Sequence, residues 1–477
     1  MADHLKLGSK VRQLRRQARM AQVDLAKQLE ISASYLNLIE HDQRPLKAEL
    51  LLRVAQIFQV DLASFGQRTD DRLSADLLEV FSDPVFDDHK LTAVDLREFA
   101  QQSPGVARAV LTLFENWRAA RDLNEQIAGD LSTEDGVGLP MSRVPSEEVN
   151  EFIQLNMNWF AQLEDAADTL WREAGLTADD LDRGMTDHLA QRHGVDVLRA
   201  RGEVGGPLRR FDPATRKLWL SETLDAHTRR FQLAVQIALL QHGELLEELA
   251  THRHLTSPDA RTLGRIVLAN YFAAAVAMPY TQFLQTAKQL RYDIELLGHR
   301  FGCGFEQVCH RLTTLRRPGN EGVPLHMVRV DLAGNISKHF SASGIRIARY
   351  SGACPRWNIH AAFLTPGLLR TQLSRMPDGA VYFCIARTVP KGRAGWHALH
   401  TIQAIGLGCN VRHARSLVYA DGMDLEHLET AVPVGVTCRL CDRMDCDQRA
   451  FPSIRRALDL DENVRGISPY APVAKRQ

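Results

Sequence analysis

Apolar side chains in the first 65 residues recur at the spacing of short helices separated by tight turns. Three helices are indicated by the apolar residues that would face inward: Leu5, Val11 and Leu14, then Leu25, Ala26 and Leu29, then Leu36 and Ile39. Ser32 stands at the N-cap position of the third helix, and Glu30-Ile31 makes the turn before it. The small Ala26 lets two helices cross closely, which leaves polar residues free to enter a major groove. The pattern predicts a helix-turn-helix unit that binds DNA; a helical dimerisation module without DNA is the alternative.

A second pattern lies between the proline-glycine signals at 103–105 and the Gly- and Pro-rich segment 132–145. Apolar positions alternate at spacings of four and three, with one polar member: Val106, Val110, Leu113, Trp117, Ala120, Asn124, Ile127 and Leu131. Such a repeat predicts a coiled-coil seam, and a polar residue within it can fix the register. A helix packed inside its own domain gives the same pattern, so both interpretations stay open.

Along the rest of the chain, the predicted secondary structure changes once, from mainly helices to short strands. Helical periodicity continues over 146–193, a strand-turn-strand follows near 207–220, and two long helices are predicted around 223–249 and 260–283. After Pro318 the sequence turns to short β-branched runs at 327–332, 345–350 and 380–386. The fold class predicted is multidomain and mainly α, with an α+β domain at the C-terminal end. The domains expected are a helix-turn-helix (1–68), a helical linker and dimerisation region (69–145), a central helical region (146–317) and an α+β sensor domain (318–477).

Composition narrows the class of protein. With 45% hydrophobic and 24% charged residues the chain is globular, and its formal net charge of zero means that DNA must be held by a local basic surface. The polar start has no secretory pattern, and the most apolar stretch, 266–278, is too short to cross a bilayer. Eight cysteines in 477 residues are too sparse for a secreted disulfide scaffold. These features predict a cytoplasmic protein that does not enter membranes.

The N-terminal segment, including the trailing Ile39-Glu40 and Arg44-Pro45, resembles the phage-repressor (Xre or Cro/CI) helix-turn-helix family. The resemblance implies that Gln22 binds a phosphate, that some side chains of the third helix face base edges and that others lie near the DNA backbone. The DNA-contacting residues expected are Gln22, Ser32, Ala33, Ser34, Tyr35, Asn37, Leu38 and Arg44. The partner expected is a palindromic duplex, bound by a homodimer or tetramer.

Residues 230–239 resemble the helix of ImmA/IrrE zinc peptidases, whose motif is Arg-Phe-x-Leu-Ala-His-Glu-x-x-His. In that motif two histidines bind zinc and the glutamate activates water. Here Val235, Gln236 and Leu239 occupy the three positions, and Leu268 replaces the glutamate ligand before Asn270. The resemblance therefore implies a degenerate, zincin-like frame without catalytic residues and no peptidase activity.

Cysteines gather near the C-terminal end, where Cys438, Cys441 and Cys446 follow Cys409. Thiolates two residues apart can share one metal, so these four residues are candidate ligands for a 4Fe-4S cluster or for zinc. The spacing is not the paired knuckle usual for structural zinc, which favours iron–sulfur. Reduced thiols without a metal remain the alternative. Core packing is expected for the other four cysteines, which have apolar neighbours: Cys303, Cys309, Cys354 and Cys384.

The order of these parts, with the motifs Ser351–Asn358, Gly406–Cys409 and the Cys438 cluster, resembles the short-chain fatty acyl-CoA regulator family over nearly the whole chain. The resemblance implies transcription control of acetate- or propionate-type metabolism by an acyl-CoA bound to the last domain. A CoA pocket needs cations, an aromatic surface and a short dry slot. Candidates are Arg346, Arg349, Arg356 and Trp357, or Arg412, His413 and Arg415. A thiol or iron–sulfur redox regulator without CoA is the competing hypothesis; a residual peptidase is disfavoured by the missing ligands.

Overall fold

The computed structural model describes residues 11–12, 14–15, 20–40, 44, 46–58, 70–86, 89, 91–130, 145–200, 206–347, 353–392, 400–439, 441–443, 445–453, 466–468 and 470. The chain forms two compact units, Met1–Thr112 and Leu113–Gln477. Each unit is described by itself.

The first unit contains the predicted helix-turn-helix. The longer helices whose bounds lie within the described residues are α1 (Gln22–Gln28), α2 (Ala33–Glu40), α3 (Ala48–Phe58), α4 (Asp70–Val80) and α5 (Ala93–Gln102). Glu30 takes a positive φ of 57° in the turn between α1 and α2. Ser32 caps α2, because its Oγ accepts a hydrogen bond of 3.1 Å from the Tyr35 N–H. Leu25, Ala26 and Leu36 are buried together, as the helix-crossing argument requires.

One long helix, α6 (Pro104–Asp130), covers the predicted heptad positions from Val106 to Ile127; the last one, Leu131, lies outside the described residues. Ala107 and Phe114 lie on its buried side. Val106 and Leu113, two members of the predicted seam, are 57% and 66% exposed. The helix itself is therefore as predicted, and part of its apolar seam faces outward.

Helices α7 to α15 surround a small sheet and lead into the last domain. They are α7 (Pro145–Leu155), α8 (Ala161–Glu173), α9 (Leu181–His193), α10 (Ala226–Gln241), α11 (Gly243–Ala250), α12 (Pro258–Ala277), α13 (Tyr280–Gln289), α14 (Ile294–Phe301) and α15 (Phe305–Thr313). In the small sheet β3 (Lys217–Ser221) lies between β1 (Asp196–Ala200), which is parallel to it, and β2 (Arg209–Asp212), which is antiparallel. The strand-turn-strand prediction matches β2 and β3.

The two predicted long helices are each broken in two. The first breaks at His242, between α10 and α11. The second breaks at Met278-Pro279, because proline cannot continue the backbone hydrogen bonding of α12. Among the described residues, no single helix has the length and apolar character to cross a membrane; α12 and α13, which meet at 64°, pass that test only as a bent pair.

A buried ion pair ties the helices of the second unit together. Arg311 on α15 donates to both carboxylate oxygens of Glu164 on α8, at 2.7 and 2.9 Å. It also donates to the Met278 carbonyl at 2.9 Å and to the Thr314 hydroxyl at 3.0 Å. Tyr271 on α12 adds a hydrogen bond of 2.6 Å to Glu164. The charge is thus fully satisfied inside the core, as a buried charge requires.

The last domain is built on a six-stranded sheet. Its strands are β4 (Leu325–Asp331), β5 (Ile336–Ser341), β6 (Arg370–Arg375), β7 (Val381–Gly392), β8 (His400–Asn410) and β9 (Val432–Pro433), in the order β5-β4-β8-β7-β6-β9. The pairs from β5 to β6 are antiparallel, and β9 is parallel to β6. A short helix, α16 (Asn358–Ala361), precedes β6.

Alternation along the strands gives this sheet two packed faces. Met327, Phe383 and Cys409 pack in one apolar cluster with α13 to α15. Val328, Tyr382 and Ala404 pack in another, with Trp357 and Ile359. The mainly α, multidomain class with a C-terminal α+β domain is confirmed. The strand predicted at 345–350 is not found, because residues 345–347 form no regular element and 348–350 lie outside the described residues.

Candidate ligand site and DNA-binding surface

A polar network fixes the predicted recognition helix, α2. The guanidinium of Arg15 donates to the Glu40 carboxylate at 2.6 and 2.9 Å, and to the Met20 carbonyl at 3.1 Å. Gln22 donates to the same carboxylate at 2.9 Å and to the Asn37 side-chain oxygen at 3.4 Å. Glu40 is buried, so these hydrogen bonds satisfy a carboxylate that would otherwise be costly to bury. Arg15 and Gln22 therefore hold α2 in position within the unit.

The expected DNA-contacting residues lie in two environments. Ser32, Ser34, Asn37, Leu38 and Arg44 are exposed. Gln22, Ala33 and Tyr35 are half-buried, and Gln22 is the one engaged by the Glu40 network. The outward side of α2 is thus available to a groove, and its members include the apolar Leu38, which is 37% exposed.

In the region that resembles zinc peptidases, other residues occupy the positions of the zinc ligands and the general base. Val235 and Gln236 on α10 are buried, Leu239 is half-buried, and Leu268 on α12 is fully buried. Apolar side chains thus occupy three of the four positions that would hold zinc ligands or the general base. The residues present do not fit a zinc site there.

In the six-stranded sheet, one row of side chains crosses five strands. Gln372 on β6 stands opposite Cys384 on β7, which stands opposite Gly408 on β8. Gly408 in turn stands opposite His326 on β4, and His326 opposite Ser341 on β5. Residues directly opposite each other share a face of the sheet. Because Gly408 has no side chain, the His326 ring lies over it, and Nε2 is 3.7 Å from the Cys384 Sγ.

Gly408 is required at this place for a steric reason. A Cβ added there would lie 2.6 and 2.7 Å from Cε1 and Nε2 of His326, and 2.5 Å from the Phe383 carbonyl oxygen. At Gly406 a Cβ would lie 3.1 Å from the Ile359 side chain. Both glycines of the Gly406–Cys409 motif therefore shape the surface above the sheet.

A cavity of about 30 Å³ lies on this face. It holds on the order of two water-sized groups, since about 10–15 Å³ of such space is enough for one water. The wall is mostly apolar, with a few polar groups: His326, Val328, Ile345, Ile347, Trp357, Asn358, Ile359, Ser374, Cys384, Ile385, Gly406 and Leu407. Trp357 is only 8% exposed, yet its indole N–H has no hydrogen-bond partner among the described residues.

The His326 imidazole is neutral at physiological pH. Burial lowers its pKa to about 3. Its Nδ1 is 2.8 Å from the Ser343 hydroxyl, which leaves Nε2 facing the thiol. Burial likewise raises the pKa of Cys384 to about 12, so the resting pair is an imidazole and a thiol. Gln372 holds the loop above them, because its amide bonds to the Asn358 N–H at 3.0 Å and to the Arg356 carbonyl at 3.1 Å.

The first set of expected CoA residues lies around this cavity, and the second does not. Trp357 is in the cavity wall, and Arg356 precedes it in the loop that Gln372 holds. Arg346 is exposed and adjoins the cavity residues Ile345 and Ile347. Arg349 lies outside the described residues. Arg412, His413 and Arg415 lie on a 3₁₀ turn, Val411–Ser416, whose Ala414 packs in the opposite apolar cluster.

Arg415 of that second set is paired with Glu426 at 2.7 Å, and Arg412 donates to His413 at 3.1 Å. A larger cleft of about 520 Å³ is lined by Arg230 and Arg387, among others. Both of these arginines already bind carboxylates, Arg230 with Asp182 at 2.6 Å and Arg387 with Glu295 at 2.5 Å. The cavity on the sheet is therefore a better candidate ligand site than this cleft.

The cysteines are arranged differently from the predicted metal site. Among the described residues, no group of three or more Cys, His, Asp or Glu side chains is close enough to hold a metal ion. Cys409 packs on the opposite face of the sheet from the cavity. Cys354 is the cysteine beside the C-terminal pair: burial raises its pKa, and the Cys438 and Cys441 thiols add to that rise. As arranged, Cys409, Cys438, Cys441 and Cys446 do not form one ligand set.

Comparison with known proteins matches three parts of the chain. Residues 6–64 match a helix-turn-helix domain, and residues 190–313 match an IrrE N-terminal-like domain. Residues 314–470 match the family model described as "Short-chain fatty acyl coenzyme A regulator, C-terminal". The cavity and its histidine-cysteine pair lie within the third match.

Whole-chain similarity extends this result. The chain is 42% identical over 472 residues to the HTH-type transcriptional regulator RamB of Mycobacterium tuberculosis, covering 97% of this chain and 98% of that protein. The chain belongs to the short-chain fatty acyl-CoA regulator family. Other members are the M. tuberculosis regulator PrpR, 38% identical over 97% of this chain and 95% of its own, and the propionyl-CoA carboxylase regulator of Cereibacter sphaeroides, 40% identical over 98% and 99%.

One solved structure is also similar to this chain. A Mycobacterium tuberculosis transcriptional regulator superposes with a TM-score of 0.66 at 40% identity, covering 69% of this chain and all of that one. The predicted class, a helix-turn-helix transcription regulator of short-chain acyl-CoA metabolism, is confirmed at the level of the family.

The sequence does not point to His326 or Cys384 as functional residues. They are 58 positions apart, and the apolar neighbours of Cys384 predict core packing. The available signal is the Gly406–Cys409 motif, since a glycine within a strand often marks a close approach by another group.

Proposed function

We propose that this regulator binds a short-chain acyl-CoA with its acyl group in the cavity above the six-stranded sheet, and that binding changes its affinity for operator DNA. The observation that carries the proposal is the cavity itself: it is small, mostly apolar and has a buried Trp357 N–H without a partner among the described residues. An apolar slot suits a short alkyl chain, and the free donor suits an acyl carbonyl oxygen. Arg346 and Arg356 lie nearby for the charged part of CoA.

The test is binding of acetyl-, propionyl- and hexanoyl-CoA, measured by calorimetry. The two short esters should bind, and the hexanoyl ester should bind at least about tenfold more weakly, because a cavity of about two water-sized groups cannot take six carbons. Ile347→Trp, at a half-buried cavity residue, should weaken the short esters. Leu368→Trp, at an exposed residue of the same domain, is the matched control. Equal affinity for all three esters would refute the assignment.

For the DNA side, we propose that the outward side of α2 enters the major groove. The support is the exposure of Ser34, Asn37 and Leu38, together with the network that holds α2. Ser34→Glu and Leu38→Glu should each abolish operator binding in a mobility-shift assay, because a carboxylate there repels the DNA. Gln56→Glu, an exposed position on α3, adds the same charge off this surface and should bind nearly normally. A regulator of this kind acts in the cytoplasm, where bacterial DNA lies.

We further propose a homodimer held in part by α6, which would suit a palindromic operator. Val106 and Leu113 support this, because both are exposed on one apolar seam. The double variant Val106→Asp, Leu113→Asp should shift the protein to monomer in light scattering. Arg108→Asp, at an exposed residue on the side of α6 away from the seam, should not.

A second candidate function is a thiol or iron–sulfur redox switch. Its support is the proximity of Cys354 to Cys438 and Cys441, and the Arg449 guanidinium, which binds the carbonyls of Cys438 and Cys441 at 2.8 Å each. If a 4Fe-4S cluster or zinc binds, Cys354 is a better fourth ligand than Cys409. Metal content and the visible spectrum of anaerobically purified protein test this. Cys354→Ser should lower the metal content, and Cys409→Ser should not; the reverse result restores the original ligand set.

We propose that the IrrE-like region has no peptidase activity, since Val235, Gln236, Leu239 and Leu268 replace the ligands and base. Zinc-dependent cleavage of peptides by the purified protein would contradict this.

A further inference from the structure

Two side chains of the cavity wall and a neighbouring serine stand in the order that nucleophilic catalysis uses. Cys384 is a potential nucleophile, His326 Nε2 lies 3.7 Å from its sulfur, and Ser343 Oγ lies 2.8 Å from the other ring nitrogen. A nucleophile, a base within reach and a group that orients the base form the general pattern of an activated thiol. We propose that Cys384 takes the acyl group from the bound acyl-CoA and becomes a protein thioester. This inference rests on the proposed acyl-CoA function of the same cavity.

Both groups rest uncharged in the empty cavity, which makes His326 a weak base for the Cys384 thiol, so the proton has to move as the sulfur attacks the acyl carbon. Burial keeps His326 neutral, so Nε2 can accept a proton when Nδ1–H donates to Ser343. Burial also keeps Cys384 as a thiol, which protects it from unspecific alkylation and oxidation while the cavity is empty. Proton transfer then accompanies attack, as in a general-base mechanism.

The second requirement is a donor for the thioester carbonyl oxygen, where negative charge develops during attack. Trp357 lines the same cavity and is buried, and its indole N–H has no partner among the described residues. A donor left unsatisfied in a buried wall is costly, which is tolerated more readily where a ligand supplies the acceptor. Stabilisation of a developing oxyanion by such a donor is a large contribution to acyl transfer in general.

The step balances without an added oxidant or reductant. The Cys384 sulfur forms a bond to the acyl carbonyl carbon while its proton moves to His326 Nε2. The carbon–sulfur bond to CoA breaks, and His326 returns the proton to the departing sulfur. The products are acylated Cys384 and free CoA thiol. One thioester is exchanged for another, so the acylated fraction follows the ratio of acyl-CoA to CoA rather than the concentration of acyl-CoA alone.

Gly408 and Ser343 are positioning residues in this scheme. Gly408 allows the ring to lie over β8, since a Cβ there would clash with Cε1 and Nε2 of His326. Ser343 orients the ring through its hydrogen bond with Nδ1. Neither needs to touch the acyl group.

The experiment is intact-protein mass spectrometry of the full chain after incubation with propionyl-CoA, followed by peptide mapping. We expect one propionyl group on Cys384, removed by hydroxylamine and reversed by excess free CoA. Cys384→Ala should take no label. Cys303→Ala is the matched control, because Cys303 is half-buried and burial raises its pKa to about 12 as well, yet it lies outside the cavity. It should be labelled like the wild type.

His326→Gln separates chemistry from binding. Without the base we expect labelling to slow by about 100-fold, the lower end of what a general base contributes. Binding of a thioether analogue of propionyl-CoA, which cannot transfer its acyl group, should change far less. Tight binding of that analogue with no label on Cys384, or a label on another residue, overturns the inference and leaves the proposed function standing. If neither the analogue nor propionyl-CoA binds, both fail.

Discussion

The helical region around Arg311 and the sheet around His326 bury polar side chains in opposite ways. Every hydrogen-bonding group of Glu164 and Arg311 that faces the core has a protein partner, including Tyr271, Thr314 and the Met278 carbonyl. In the sheet cavity, Trp357 keeps a donor without one among the described residues. A closed network is sufficient as scaffold, whereas an open one marks a place where a ligand completes the hydrogen bonding. This difference separates the helical network around Glu164 and Arg311 from the candidate ligand site.

Breaking the closed network around Arg311 and Glu164 should cause the largest loss of stability. Arg311→Met leaves the Glu164 carboxylate buried without its cation, so we expect the free energy of unfolding to fall by about 3–5 kcal/mol. Urea denaturation followed by circular dichroism measures it. Arg183→Met, at an arginine that is 76% exposed, should change the same quantity by less than about 0.5 kcal/mol. A similar loss in both variants would mean that the buried pair is not the tie we describe.

Substitutions at Gly406 and Gly408 of β8 test whether close packing shapes the cavity above the sheet. Gly408→Ala forces His326 and the Phe383 carbonyl apart, so it should cost about 1–3 kcal/mol in unfolding free energy and abolish binding of short acyl-CoA. Gly406→Ala meets the flexible Ile359 side chain at 3.1 Å and should cost less in both measurements. Calorimetry and denaturation of the two variants measure these effects. If Gly406→Ala is the worse variant in binding or stability, the steric account is wrong.

His326 in the cavity should make the free energy of unfolding depend on pH. Its pKa is about 3 in the folded protein, against 6.5 for a histidine in water, so the unfolded chain binds one more proton between these values. The free energy of unfolding should therefore fall as pH drops below 6.5, by up to about 1.4 kcal/mol per pH unit from this residue, with no contribution above it. In His326→Gln the fall should be shallower by that amount. His299→Gln, at an exposed position, should keep the wild-type slope.

The smallest expected effects come from substituting Trp171 in the helical region and Trp357 in the cavity wall. Trp171 donates its N–H to the Val276 carbonyl at 2.8 Å, so Trp171→Phe should destabilise the protein by about 1 kcal/mol. Trp357→Phe loses part of a buried ring but no hydrogen bond within the described protein, so it should cost less stability than Trp171→Phe. It should nevertheless weaken propionyl-CoA binding by about 1 kcal/mol, or roughly fivefold. If both variants lose stability equally, the Trp357 donor is satisfied in the free protein.

The local parts of the fold could be predicted from the sequence. The cap at Ser32, the crossing at Ala26 and the helix at 104–130 each depend on residues that are neighbours in the chain. The strands β1, β5, β6, β8 and β9 and the helix break at His242 were not predicted, because tertiary packing rather than periodicity decides these elements. The helix break at Met278 could have been predicted, since Pro279 interrupts a helix.

The candidate site was predicted in its class but not in its residues. Trp357 and the Gly406–Cys409 motif stand out in the sequence, and both lie at the cavity. His326 and Cys384 meet only because β8 brings β4 and β7 together on its two sides, which no single stretch of sequence encodes. Strand alternation likewise turns Cys409 toward the face opposite Cys354, which lies beside Cys438 and Cys441.

The Arg15–Glu40 pair has a consequence for the ionic-strength dependence of operator binding. Each phosphate neutralised by a protein cation adds about −0.9 to the slope of log affinity against log salt concentration. Arg15 is already neutralised by a buried carboxylate. It should therefore add little to that slope, so a helix-turn-helix that binds DNA as proposed uses fewer effective charges than its number of cationic side chains implies.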